Sequence, residues 1–498
     1  MSKHLGAGGG LRADALGTFD SVVMAIAGCG PAYTIAVTLP VLIAAVGVAG
    51  PAVLLYCAIP MVGIALAFRH LGRLDPNAGA AYAWVGRSLH PFLGFLGGWA
   101  VVVSTTVFMA SSALPAGSAT LALLGLDAGG STALATAVGA VWFLLVACVV
   151  MFGARISAHA QTLITGTQLV LLVVFAVAAM SKDGNAADFS LSWFGFGHFG
   201  QSGGEGGFVT GALIAVFAYW GWDVTSNLGE ETRGGRRGSG FGGVIGVLTV
   251  FALFTVFTIA VNILIGTEAV RRSPGDFLTV LGDAIWPGWG GRLLVLAVLL
   301  STVATLETSL IQATRTLFAM GRDRTLPPAF GRLHPRRQAP WTATAVVAAV
   351  ALVLTAAVNL GSGARLLADA LSGIGLQIAF YYSLTAFSAV VVHRKTLFTS
   401  AGNLLLIGVW PLCGGLFMLW ILARSVTELS AAALTIGLGT LALGIVPMLR
   451  SWFRGRSYFR PSPLDPQRAQ DVDDSYGVPG HGPARAASGR PDELLTDF

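Results

Sequence analysis

The sequence predicts an all-α polytopic membrane protein of about twelve transmembrane helices, and three observations carry that prediction. The 498 residues are 54% hydrophobic and only 11% charged, against about 25% charge in soluble domains. Mean hydropathy is +0.74. Apolar runs of the roughly 20 residues that a helix needs to cross a bilayer recur from the first segment almost to the end. In hydrocarbon, backbone polar groups must bond within their own segment, so such runs are helices.

Twelve segments follow in order: 18–45, 50–68, 92–124, 133–153, 157–181, 208–230, 241–266, 292–320, 342–359, 366–393, 402–423 and 430–450. Residues 1–17 precede them as a glycine-rich polar tail with no cleaved-export pattern. The third and eighth segments exceed the minimum length, which permits tilt or extension beyond the bilayer. Segments 18–181 and 208–393 form two groups of five, expected to be inverted repeats, with 402–450 as two appended helices. Residues 451–498 form a second tail, and the Pro, Gly, Asp and Arg content from 461 onward predicts disorder there.

Loop charge orients the bundle. With the N-terminus in the cytoplasm, twenty Lys and Arg between Lys3 and Arg460 fall inside and six outside. The inner set includes Arg69, Arg73 and Arg87 after segment two, and Arg322, Arg324, Arg332, Arg336 and Arg337 after segment eight. Positive charge collects on the cytoplasmic side, so both termini are expected inside a plasma membrane. The net charge of +6 therefore reflects orientation and gives no reason to expect nucleic acid. Cys29, Cys57, Cys148 and Cys413 all lie in apolar runs and read as small reduced residues. Their spacing offers no metal site.

Two segments are interrupted. The first reads "MAIAGCGPAYTIAV", with Gly28, Gly30 and Pro31 at its centre. Glycine loosens a helix, and proline removes a donor. The sixth reads "GALIAVFAYWGWDVTSNLGEET" and gives way at Gly221, between Trp220 and Trp222. Each interruption opens its group of five. One break alone is a packing notch, but matched breaks in two halves mark a midplane site in inverted-repeat transporters. Amides opening the second half-helix attract a carboxylate. Carbonyls ending the first halves, near Ala25–Ala27 and Phe217–Tyr219, attract a cation. An α-amino acid carries both groups at that separation. Phe217, Tyr219, Trp220 and Trp222 crowd the second break as packing or as a gate.

Four stretches carry a family resemblance: "GCGP" in segment one, "RLDPNAGAAYAWVGRSL" after segment two, "FAYWGWDVTSNLGEETRGGRR" in segment six, and "SLIQATRTLFAMGRDRTLPPAFGRLHP" from segment eight. Over residues 15–450 the chain resembles the amino acid–polyamine–organocation superfamily, with its leucine-transporter-like fold. The resemblance implies five plus five inverted helices, two more at the end, and secondary transport by alternating access. By position it implies that Gly28, Cys29 and Gly30 take the carboxylate and Phe217 and Ala218 the amine, with Phe217 gating. Ala27, Tyr219, Trp220 and Gly221 complete the expected substrate site. Cys29 departs from the family's usual Gly-Ser/Thr/Ala-Gly, which bears on side-chain preference.

Buried ionisable groups are the remaining functional candidates, since charge in a membrane is costly. Glu307, in "VLLSTVATLETSLIQ", carries a proton, neutralises a cationic substrate, or sits protonated against Ser or Thr. Asp223 relays a proton or braces the unwound segment through Thr225 and Ser226; Trp222 beside it is a gating candidate. Glu230 and Glu231 lie beside Arg233 as a gate or surface pair, and Asp369 favours a helix start. Some proton-coupled relatives place a lysine where Gln168 aligns, and glutamine does not titrate. Ser301 and Thr302 offer oxygen to sodium or bond between helices. Coupling is open between proton symport and exchange.

The eight histidines are scattered, no nucleophile pairs with a base, and no phosphate-binding loop is present. An enzyme or ATP-driven pump is not expected, and neither is a cofactor. Repeated broken helices fit alternating access better than a channel, and the short tail gives no sensor domain. The expected partners are a small-molecule substrate, an amino acid or related amine, the lipid bilayer and a coupling proton.

Overall fold

The computed structural model describes residues 10–126, 131–182, 189–199, 207–359 and 364–466. Among these there are helices and turns and no strand beyond one isolated bridge, Leu16 to Thr232. Span one is α1 (Thr18–Cys29) followed by α2 (Pro31–Val46), and span two is α3 (Gly50–Leu74). A short α4 (Ala81–Ser88) leads into α5 (Pro91–Leu123), then α6 (Thr132–Met151) and α7 (Ala154–Ser181). Span six is α8 (Gly207–Ala218) with a single turn, α9 (Val224–Asn227). Span seven, α10 (Gly235–Leu264), precedes two short helices, α11 (Gly266–Arg272) and α12 (Phe277–Ile285). Next come α13 (Gly290–Arg322), α14 (Trp341–Asn359) and α15 (Ala364–His393). The last two spans are Ala401–Glu428 and Ala431–Phe453.

Ten of these stretches are long and apolar enough to cross a membrane. The first of them, Thr18–Leu74, contains both span one and span two. The sixth expected span, 208–230 with its break at Gly221, lies outside that count, because its first helix stops at Ala218 and only a single turn, Val224–Asn227, follows the break. Gly221, within the stretch that follows, has φ +107, a conformation that side chains resist and no helix contains. Span two runs six residues beyond its expected end at 68, which keeps Arg69, His70 and Arg73 helical.

The centre of the bundle is α13, buried without interruption from Ser301 to Gly321 and packed on α5 and α7. A helix covered all round is a core helix, whereas α7 alternates buried and exposed apolar residues, as a lipid-facing helix does. Small residues let backbones approach. A Cβ on Gly242 of α10 would meet the Ser21 Cβ of α1 at 2.6 Å.

The end of the bundle that carries the N-terminus is laced by polar bonds. Leu16 donates its amide to the Glu231 carbonyl at 3.0 Å and accepts from the Arg233 amide at 2.7 Å. Asn227 donates to the Ala78 carbonyl at 2.7 Å, and Glu230 accepts from the Ala78 amide at 2.8 Å. Arg87 pairs with Asp75 at 2.8 Å; burial outweighs that arginine and holds the Asp75 carboxyl above its ordinary range. A segment after the last span closes on α4. Tyr458 stacks on Tyr82 at 4.4 Å, donates to the Tyr82 carbonyl at 2.9 Å, and Arg87 donates to the Ser462 carbonyl at 3.1 Å. The tail beyond 466, expected to be disordered, lies outside the described residues, as do residues 1–9.

Candidate functional site

The first break is one residue wide. α1 ends at Cys29, Gly30 takes φ +52, and α2 starts with Pro31, whose missing donor costs nothing at a first helical position. The Gly28 and Cys29 amides therefore belong to α1, and the Gly30 amide donates to the Ala27 carbonyl at 3.1 Å. The first bond of α2 is Thr34 N–H to the Gly30 carbonyl at 2.7 Å. This leaves the amides of Ala32 and Tyr33 as the donors that a helix start leaves over. The donors thus lie a few residues past the Gly28–Gly30 positions expected from the sequence. Ala27 and Cys29 carbonyls are occupied, accepting from Thr305 Oγ1 at 3.0 Å and Thr34 Oγ1 at 2.7 Å.

The second break spans five residues, Tyr219 to Asp223. The Trp220 amide turns back to the Phe217 carbonyl at 3.2 Å. Among the described residues nothing bonds to the carbonyls of Ala218, the last residue of α8, or of Tyr219, which follows it. α8 packs on α2, and the two breaks meet at backbone level: a Cβ on Gly28 would overlap the Gly221 carbonyl. The Tyr219 side chain turns away, its hydroxyl donating to the Leu54 carbonyl at 3.1 Å. Trp222 is fully buried against Phe68, with ring centroids 5.2 Å apart. Four other rings gather beside the α2 start. Phe108 contacts Tyr33 at 5.7 Å, Trp220 at 5.6 Å and Phe217 at 6.4 Å.

Asp223 is bonded to residues that the sequence reading did not single out. Its Oδ2 accepts from Gln312 Nε2 at 2.7 Å and from the Tyr381 hydroxyl at 2.9 Å. Its Oδ1 accepts from the Tyr382 hydroxyl at 3.0 Å. Trp220 Nε1 donates to the Tyr381 hydroxyl at 2.7 Å. All five residues are buried. The only signal in the sequence was two adjacent tyrosines and a glutamine inside apolar runs, "IAFYYSL" and "LIQAT". Thr225, through which Asp223 was expected to brace the unwound segment, donates instead to the Trp222 carbonyl at 3.3 Å.

Glu307 is 2% exposed, and its Oε1 has no partner among the described residues. Ser157 and Gln161 of α7 lie beside it. Gln161 Nε2 donates to the Ala304 carbonyl at 2.8 Å, next to the Thr305 that caps α1. Gln161, rather than Gln168, is therefore the α7 glutamine that reaches this region, and Gln168 is buried two turns on with both polar atoms unpartnered. Ser301 Oγ is likewise unpartnered, while Thr302 bonds its own helix at Val298, 2.7 Å away. No group of three His, Cys, Asp or Glu converges among the described residues.

The remaining acids bond to other elements of the bundle. Glu231 pairs with Arg315 of α13 at 3.0 Å, both at most 1% exposed, and Glu230 pairs with Arg322 at 2.9 Å. Neither carboxylate pairs with the neighbouring Arg233, because the turn after α9 directs both toward α13. Asp369 accepts from Ser430 Oγ at 2.6 Å, at the start of the last span.

Against known proteins, the family model described as amino acid permease matches residues 16–437. The chain is 25% identical over 423 residues to the low-affinity putrescine importer PlaP of Escherichia coli K12, covering 80% of this chain and 84% of that protein. It is 23% identical over 345 residues to the serine/threonine exchanger SteT of Bacillus subtilis, covering 66% and 72%. It is 25% identical over 367 residues to the mitochondrial cationic amino acid transporter 3 of Arabidopsis thaliana, covering 69% and 57%.

Proposed function

We propose, on the premise that the chain belongs to the amino acid permease family, that it is a secondary transporter moving amino acids across the plasma membrane by alternating access. One observation carries this reading. The two breaks meet where Gly28 abuts Gly221, and the helix ends flanking them leave the Ala32 and Tyr33 amides and the Ala218 and Tyr219 carbonyls unspent. A helix start carries partial positive charge and a helix end partial negative charge. A zwitterion laid across them puts its carboxylate on the amides and its ammonium on the carbonyls. Ala27, Gly28, Cys29, Gly30 and Gly221 form the floor of this cradle, while Phe217 and Trp220 close it from the side. In this reading spans one to five and six to ten are inverted repeats, and both termini face the cytoplasm.

A neutral amino acid is the favoured substrate. Asp223 is the carboxylate nearest the break, and both of its oxygens are already engaged by Gln312, Tyr381 and Tyr382. It therefore has little capacity left to neutralise a substrate side chain. The second reading, a cationic amino acid or polyamine, is favoured by the unpartnered Glu307 oxygen and by relatives named for putrescine and cationic amino acids. Glu307 is equally the group that would carry a coupling proton.

Purified protein in liposomes, offered labelled serine, arginine and putrescine with and without proton or sodium gradients, separates these readings. Saturable uptake of serine alone supports the first. Uptake confined to arginine or putrescine supports the second. Uptake only against internal unlabelled substrate identifies an exchanger, and no saturable uptake of any panel member rejects transport of these classes.

A further inference from the structure

We propose that Tyr381 is a positioning residue for transport, its hydroxyl pinning the Trp220 indole as a wall of the substrate cradle by tying it to Asp223. The proposal rests on the transport reading above and goes beyond it by naming what sets the shape of the site.

Trp220 lies in the unwound stretch between α8 and α9. No helical backbone fixes where its side chain points, so its bonds must. It has one polar bond to give, and that goes to Tyr381 at 2.7 Å. An indole N–H only donates and an ionised carboxylate only accepts. The Tyr381 hydroxyl between them therefore has a single consistent arrangement: it accepts from Trp220 and donates to Asp223 at 2.9 Å. The far end of this chain is held rigidly. Gln312 of α13 and Tyr382 of α15 each hold Asp223 as well, at 2.7 and 3.0 Å. The anchor thus joins α13, α15 and the second break, and the indole is its one arm toward the first break. The other face of that arm meets Phe108 edge-on at 5.6 Å and Phe217 at 6.3 Å. Phe108 leads on to Tyr33, whose amide is one of the two left over at the α2 start. Losing the hydroxyl would free the indole without removing any ring from the wall.

The test uses the full-length protein in proteoliposomes, with whichever of labelled serine, arginine or putrescine the wild type carries with saturation. Tyr381→Phe keeps the ring and removes the bond, so KM rises roughly three- to tenfold while Vmax stays within about twofold. In a Trp220→Phe background the same substitution shifts KM by less than about twofold, because the pinned group is already gone. A merely structural role for Tyr381, acting through Asp223, would persist in that background. An unchanged KM in Tyr381→Phe, or an undiminished shift in the Trp220→Phe background, overturns the proposal. If Tyr381→Phe is not recovered as monodisperse protein, Trp220→Phe alone carries the test: a raised KM supports the wall, and an unchanged KM removes it. A wild type that carries none of the three overturns the transport reading itself, and this proposal with it.

Discussion

A Cβ on Gly28 would overlap the Gly221 carbonyl, and a Cβ on Gly221 would overlap the Gly28 carbonyl. The obstacle is backbone on both sides, so no flexible side chain can swing away. Gly28→Ala is therefore expected to push the two breaks apart, an overpacking cost of about 1–3 kcal/mol. The variant should insert in the membrane, lose most uptake and melt at a lower temperature. Gly439→Ala, where a Cβ meets nothing within 4 Å, is the control and should behave as wild type. Equal uptake by the two variants would show that the contact is dispensable. At this scale the sequence was half legible. Glycine and proline announce a break through backbone chemistry that needs no partner. The partners of Asp223 were invisible, because Tyr381 and Tyr382 lie more than 150 residues away in sequence, and only packing brings them to it.

Among elements, α13 shows how a buried charge is held. Arg315 and Glu231 are at most 1% exposed and bond twice, Nε to Oε2 at 3.0 Å and Nη2 to Oε1 at 3.3 Å. They join the turn after α9 to the core helix, so the second half of span six is fastened where it has almost no helix of its own. Removing one partner leaves the other as an unpaired buried charge, costing about 3–5 kcal/mol. Arg315→Met alone should sharply lower the thermal midpoint of the purified protein. Adding Glu231→Gln should recover most of the loss, since replacing a buried pair outright is often nearly neutral. A double variant no more stable than the single one would show that the pair contributes more than mutual neutralisation. The spans were legible because hydropathy length is a local property, and so was the end of α8 at Ala218, inside the expected Phe217–Tyr219 stretch ahead of Gly221. What was not legible is that only a single turn, Val224–Asn227, follows the break, since Asp223 and Asn227 of "DVTSN" bond to distant elements.

For the molecule as a whole, the contact between the two breaks has a consequence for the transport cycle. Gly28 and Gly221 touch, and Leu16, Asn227, Glu230 and Glu231 lace span six to the segment before α1, the loop after α3, and α13. With the first break only one residue wide, a substrate passing toward that end of the bundle requires the backbones to separate and those bonds to open. Cys29 reports the separation directly. It sits between Gly28 and Gly30 and is 3% exposed here, so a thiol reagent has no access to it in this arrangement. Cys57 is buried elsewhere in the bundle, and Cys148 and Cys413 are exposed on its surface. With those three replaced by alanine, alternating access predicts that a membrane-impermeant maleimide labels Cys29 from the N-terminal side of the membrane. A transported amino acid should slow that labelling by occupying the cradle, and Arg315→Met should speed it by loosening the lacing. Mass spectrometry of the labelled peptide reads both effects. Cys29 left unlabelled from both sides in the actively transporting protein would mean that the first break does not open, and the substrate path would then have to run past α5 and α8 without it.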